Sequence, residues 1–118
     1  MEFFINKNNT LPILKMQLVK DGINSISGAT QIIEKSIIYF SMKNVEDGSQ
    51  KILNKKGGFV EKIFIEPNAS TEYYVYYKFS GWDTKIPGRY EAEFLFKHEN
   101  GDYILPFREK LYINILDN

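Results

Sequence analysis

The chain has 118 residues, of which 43% are hydrophobic and 15% aromatic, enough for one domain over residues 1–118 with a core of its own. Its 15 basic and 15 acidic residues balance, which argues against a nucleic-acid partner, because phosphate binding needs an excess of Lys and Arg. Without cysteine there is no disulfide, thiolate metal site or cysteine nucleophile. The apolar runs are shorter than a membrane span and the first residues do not resemble a secretion signal, so we expect no membrane partner.

Short runs of strand-like residues alternate with turn signals along the chain. In chain order, the runs predicted as strands are Pro12 to Val19, Ile37 to Lys43, Gln50 to Leu53, Val60 to Glu66, Glu72 to Phe79, Arg89 to Lys97 and Lys110 to Leu116. Most of these runs alternate with period two, which predicts sheets with one buried and one solvent-facing side. The Lys55-Lys56-Gly57-Gly58 segment is predicted as a turn, and residues 30–35 as a candidate for one short helical turn.

About seven or eight strands in a chain of this length leave no room for crossover helices. The pattern therefore predicts an all-β, antiparallel, immunoglobulin-like β-sandwich. Gly88-Arg89-Tyr90 opens a long alternating strand, where many such sandwiches place a tyrosine corner. We expect the phenol of Tyr90 to bond back to the preceding backbone.

The residues offer little chemistry. His98 is the sole histidine and lies beside a predicted hairpin turn, so we expect it to be exposed and without a role. Glu91 and Glu93 share one face of a strand, as an acid pair would, but charged residues are usual on an outer face. Asp47 and Asp83 lie in predicted loops without the spacing of a calcium loop. We therefore expect no catalytic residue, no metal site and no cofactor.

Aromatic residues are the most suggestive feature. Alternation in the strand from Glu72 places Tyr73, Val75, Tyr77 and Phe79 in the core and turns Tyr74 and Tyr76 outward. Exposed tyrosines suit a protein interface, and they also stack on sugar rings. The third interpretation is that neighbouring strands cover both tyrosines. Trp82 lies in a predicted loop, where it either covers one end of the core as a lid or forms an exposed anchor. We favour the lid.

The first residues are unusually apolar for a chain end. Phe3 and Phe4, with Ile5, predict either an N-terminal strand or an arm that reaches a neighbouring molecule. We count both phenylalanines with Tyr74, Tyr76 and Trp82 as candidate interface residues.

Several segments together resemble the immunoglobulin-like domain at the N-terminus of upper baseplate proteins of tailed phages, and related small virion proteins. These segments are Leu11–Gly22, Gly28–Thr30, Phe40–Met42, Tyr77, Asp83–Thr84, Gly88–Phe94 and Ile104–Ile115. The resemblance covers most of the chain but consists of strand and turn patterns. It implies a virion protein, made in the cytoplasm of a host bacterium, that docks on other virion proteins.

The expected function is therefore a non-enzymatic structural role in a baseplate, a tail or fibre anchor, or a capsid decoration. Its partners would be other virion proteins and further copies of itself, as a homo-oligomer. The alternative is a carbohydrate-binding β-sandwich module, which predicts a row of coplanar exposed aromatic rings on one sheet.

Overall fold

The computed structural model describes residues 1–17, 36–64, 70–99, 101–106 and 109–117. These residues form nine strands and contain no helix. The strands are β1 (Glu2–Asn6), β2 (Leu14–Gln17), β3 (Ile37–Asn44), β4 (Gln50–Lys56), β5 (Gly58–Phe64), β6 (Ser70–Tyr77), β7 (Gly88–His98), β8 (Gly101–Leu105) and β9 (Leu111–Leu116). The count exceeds the predicted seven or eight because β1 and β8 add to the predicted set. The candidate helical turn at 30–35 lies outside the described residues.

The strands form two sheets. The larger sheet has the order β1-β9-β7-β3-β4, and β8 pairs with the second half of β7, from Phe94 to His98. The smaller has the order β2-β6-β5. Neighbours are antiparallel except β1 and β9, which run parallel from the pair Glu2 and Tyr112 to the pair Asn6 and Leu116. The fold is all-β and sandwich-like, as the alternating pattern predicts.

The core lies between the sheets and is built from the alternate positions of their strands. In β7 the predicted inner face is confirmed, since Tyr90, Ala92, Phe94 and Phe96 are all buried. The smaller sheet contributes the remaining wall through its own buried positions, Leu14, Met16, Val75 and Tyr77. Rings dominate the centre, where large apolar side chains remove the most surface from water.

The predicted turn at Lys55 to Gly58 is wrong. Strand β4 belongs to the larger sheet through Lys56, and β5 begins in the smaller sheet at Gly58, so the chain changes sheet at Gly57. The Gly57 amide donates to the Ile38 carbonyl at 2.9 Å. A Cβ on Gly57 would lie 2.8 Å from the Tyr76 backbone oxygen, so the glycine permits a close approach of two backbones.

Candidate interaction surface

The loop between β6 and β7 is held to the core by a buried carboxylate. The Asp83 side chain is only 2% exposed. Its Oδ2 accepts hydrogen bonds from the Tyr77 hydroxyl at 2.7 Å and the Ser80 amide at 2.9 Å. Its Oδ1 lies 2.9 Å from the ammonium nitrogen of Lys55 on β4. Both carboxylate oxygens therefore have protein donors, and one side chain ties both sheets to the loop.

The charges in this cluster influence one another. Burial acts to raise the pKa of Asp83, but hydrogen bonds from the Ser80 amide, Lys55 and Tyr77 outweigh it, so the pKa is lowered from its ordinary value. Burial raises the pKa of Tyr77, and the hydrogen bond to Asp83 and the negative charge of that residue raise it further. Asp83 thus remains an anion and Tyr77 a neutral donor at neutral pH.

Two further contacts fix the same loop. The Thr84 hydroxyl is buried and donates to the Asn9 carbonyl at 2.8 Å, which joins the loop to the segment after β1. The Tyr90 hydroxyl donates to the Ile86 carbonyl at 2.9 Å. The second contact confirms the predicted tyrosine corner. Burial raises the pKa of Tyr90, so its phenol remains a donor at neutral pH.

Replacing Tyr90 with phenylalanine is expected to lower the free energy of unfolding by about 1 kcal/mol, because the Ile86 carbonyl loses its donor while the ring still fills the core. Urea denaturation followed by circular dichroism measures the change. Tyr112→Phe is the matched control, since Tyr112 is half-buried on the outer face with its ring 4.0 Å from the Arg89 guanidinium carbon. Equal stability losses in the two variants would contradict a special role for the corner.

Trp82 extends outward from this anchored loop, with 67% of the residue exposed. The expectation of a lid over the core is therefore wrong, and the alternative of an exposed anchor describes its position. The ammonium nitrogens of Lys85 and Lys51 lie 4.5 Å and 5.7 Å from its ring centroid. No described carboxylate forms an ion pair with either lysine. We call Trp82, Lys51 and Lys85 the Trp82 patch; its charge suits a partner with carboxylates.

The two candidate tyrosines lie on the outer face of the smaller sheet but are only half-exposed. Tyr74 and Tyr76 alternate with the buried Val75 and Tyr77, as predicted. The Tyr76 ring lies across its cross-strand partner Gly58, where an added Cβ would be 2.7 Å from its ring carbon Cζ. Part of the Tyr76 ring is thus used to cover a glycine in the neighbouring strand.

The N-terminal phenylalanines form a strand, and they point in opposite directions. Phe3 packs against the core, with its ring centroid 5.9 Å from that of Phe79. Phe4 lies on the outer face and is 56% exposed. The five candidate interface residues therefore do not form one surface. Phe4 and the tyrosine pair lie on opposite outer faces, Trp82 is on a loop, and Phe3 is largely internal.

A groove of about 400 Å³ crosses the outer face of the larger sheet between β3 and the segment after β8. Glu91 and Glu93 are among its lining residues. Glu91 forms ion pairs with Lys110 at 3.2 Å and with Lys43 at 3.8 Å. Such exposed pairs are ordinary features of an outer sheet face. His98 ends β7 and is half-buried, which corrects its predicted exposure in a loop.

The described residues show neither a metal site nor a membrane-spanning helix. In the described ranges no three His, Asp or Glu side chains are grouped so that they could hold a metal ion. None of the described segments forms a helix that could span a bilayer. No family model, curated protein or solved structure matches the chain. The class that the structure itself defines is an all-β, sandwich-like domain with an exposed tryptophan on an anchored loop.

Proposed function

We propose that the chain is a non-enzymatic structural protein of a tailed-phage virion, which acts through contacts with other virion proteins. The observation that carries the proposal is the Trp82 patch. A large aromatic side chain is exposed on a loop that Asp83, Thr84 and Tyr90 hold in place.

The anchoring supports a binding role for physical reasons. Tryptophan supplies much of the binding energy at protein interfaces, and a fixed loop loses little conformational entropy when a partner covers it. The two ammonium groups beside the ring favour an acidic or phosphorylated partner surface and repel a basic one. The strand and turn resemblance to baseplate domains supports a virion as the setting.

Replacing Trp82 with alanine is expected to reduce the affinity for a virion protein by about thirtyfold or more, since truncating a central tryptophan costs about 2 kcal/mol or more. The immobilised chain is incubated with dissociated particles of the phage that encodes it, and captured proteins are identified by mass spectrometry. The fold should be unaffected, because substitutions at exposed sites usually change stability by less than about 0.5 kcal/mol.

Leu53→Ala is the matched control. Leu53 is also 67% exposed, so the two variants remove comparably exposed apolar side chains. We expect Leu53→Ala to retain capture. Equal capture by the wild type and by Trp82→Ala would show that the Trp82 patch is not the interface. Absence of the chain from purified particles would contradict the virion assignment altogether.

The alternative of a carbohydrate-binding module draws on Tyr74 and Tyr76, which share the outer face of the smaller sheet. A glycan array separates the two functions. Saturable glycan binding that is lost in a Tyr74→Ser, Tyr76→Ser double variant, with capture of virion proteins unchanged, would favour the module.

A further inference from the structure

In the described part of the chain, strand β1 forms an edge of the larger sheet. Among the described strands its one neighbour is β9. The Met1 carbonyl accepts from the Tyr112 amide at 2.8 Å, and the Lys7 amide donates to the Leu116 carbonyl at 2.7 Å. In a parallel pair the residues that bond to the neighbour alternate, so positions 1, 3, 5 and 7 face β9. The amides and carbonyls of Glu2 and Phe4 and the amide of Asn6 therefore point to the open side.

The opposite edge of the same sheet, β4, is protected. It carries Lys51, Lys55 and Lys56, and its pairing with β3 shifts register twice. Asn54 within it has a left-handed backbone with φ of 51°. Lysines and bulges are the usual devices that prevent a second chain from pairing with an edge strand.

Strand β1 has none of these devices. No residue from Glu2 to Asn6 is a lysine or proline or has a positive φ, and its register with β9 is continuous. Its one charged side chain, Glu2, is compensated by the Arg89 guanidinium at 2.8 Å and the Asn114 amide at 2.9 Å. The centre of the strand is Phe4, which is 56% exposed. An apolar edge strand whose one charge is already compensated favours strand addition.

We propose that a second copy of this chain pairs with β1, antiparallel, across a two-fold axis at Phe4. This inference deepens the proposed structural function and rests on it for its biological meaning. The register places Phe4 opposite Phe4 of the second copy, Glu2 opposite Asn6, and Phe3 opposite Ile5. Phe4 with Phe4, and Glu2 with Asn6, are then the hydrogen-bonded pairs, because the backbone groups of Glu2 and Phe4 and the amide of Asn6 point to the open side.

The side chains suit the same register. The two Phe4 rings meet on the outer face, and aromatic cross-strand pairs are favourable. The Glu2 carboxylate faces the Asn6 amide, so no like charges meet there. Beyond the strand, the N-terminal ammonium group approaches Lys7 of the other copy, but each has a carboxylate nearby, Glu109 at 3.6 Å and Asp117 at 3.0 Å. Pairing joins the two larger sheets into one continuous sheet.

Light scattering over a concentration series is the first test, with any purification tag at the C-terminal end. We expect a species of twice the 13.8 kDa chain mass. Phe4→Lys should weaken dimerisation by about tenfold or more, because the introduced ammonium groups would face each other across the axis. A wild-type chain that is monomeric at every concentration up to about millimolar would overturn the proposal.

A cross-linking test fixes the register, since the chain contains no cysteine. Directly opposed residues of a hydrogen-bonded antiparallel pair have Cα atoms about 5.5 Å apart, within the range of a disulfide. Phe4→Cys should therefore oxidise to a covalent dimer. Glu2→Cys is the matched control on the same face, and its two copies would lie about 13 Å apart along the strands. Equal cross-linking of both variants would refute the register.

These outcomes separate the inference from the proposed function. A monomer that still captures virion proteins through the Trp82 patch refutes the β1 dimer and leaves the structural role intact. A β1 dimer whose chain is missing from purified particles supports the pairing and contradicts the virion role.

Discussion

Replacing Phe40 with alanine is expected to lower the free energy of unfolding by about 3–5 kcal/mol, a large part of the stability of a domain of this size. Phe40 is fully buried, and its ring contacts rings from both sheets. The centroid distances are 4.3 Å to Tyr77, 5.7 Å to Phe79 and 5.1 Å to Phe94. Three neighbouring rings cannot all collapse into the space, so a cavity remains. Urea denaturation followed by circular dichroism measures the loss.

Phe4→Ala provides the matched control, because it removes the same ring from an exposed position. Measured in dilute solution, where self-association is minimal, it should change stability by less than about 0.5 kcal/mol. Comparable losses in Phe40→Ala and Phe4→Ala would mean that the ring cluster is not the centre of the core.

The fold could be predicted where one face of a strand is exposed to solvent and the other face is buried. Alternation in β3 correctly places Ile38, Phe40 and Met42 in the core, and it does the same for the inner face of β7. Such strands must bury every second side chain, so the face and approximate bounds can be read from the residues alone.

Strand pairing was not predictable in the same way. The parallel alignment of β1 with β9 joins residues more than a hundred positions apart, and alternation carries no information about partner or direction. The Gly57-Gly58 pair misled for a related reason. Glycine serves both tight turns and close backbone approaches, and here the requirement comes from the Tyr76 carbonyl of another strand.

The candidate interaction surface was only partly predictable. The residue pattern predicts Trp82 as an interface residue, but the direction of its side chain depends on how the loop is anchored. The anchor, Asp83, looked like one more loop aspartate. Its partners include Lys55, which is 28 positions away in the sequence. Only the contact between Asp83 and Ser80 could be expected from their closeness in the sequence. The rest of the buried cluster forms only when the two sheets pack together.

Replacing Asp83 with asparagine is expected to lower the free energy of unfolding by about 2–4 kcal/mol at neutral pH. An amide keeps the size of the side chain but loses the negative charge, and its NH₂ group would meet a donor where the carboxylate had accepted. Because Tyr77 and Ser80 both donate to Oδ2, the amide oxygen can still accept from them, but as a neutral and weaker acceptor, and the NH₂ group then faces the Lys55 ammonium. Urea denaturation at pH 7 measures the loss.

The pH dependence provides an independent measurement on the same residue. The pKa of Asp83 in the folded chain is lowered from its ordinary value of 3.8. The unfolded chain therefore takes up this proton first as the pH falls. The stabilisation from Asp83 is complete above the ordinary value and is lost as the pH drops through the lowered one. The wild type should lose stability below about pH 4 more steeply than Asp83→Asn, which cannot titrate there.

Lys55→Met separates the charge pair from the hydrogen bonds. The Lys55 side chain is 48% exposed, so solvent screens its attraction to Asp83 and its loss should cost no more than about 1 kcal/mol. The weakening of the hydrogen bonds from the buried donors, Tyr77 and Ser80, should account for most of the effect of Asp83→Asn. A larger loss in Lys55→Met than in Asp83→Asn would reverse that order and make the ion pair the main anchor of the loop. The position of the Trp82 loop would then change with salt concentration. Anchoring by buried hydrogen bonds predicts instead that the position of the loop is independent of salt.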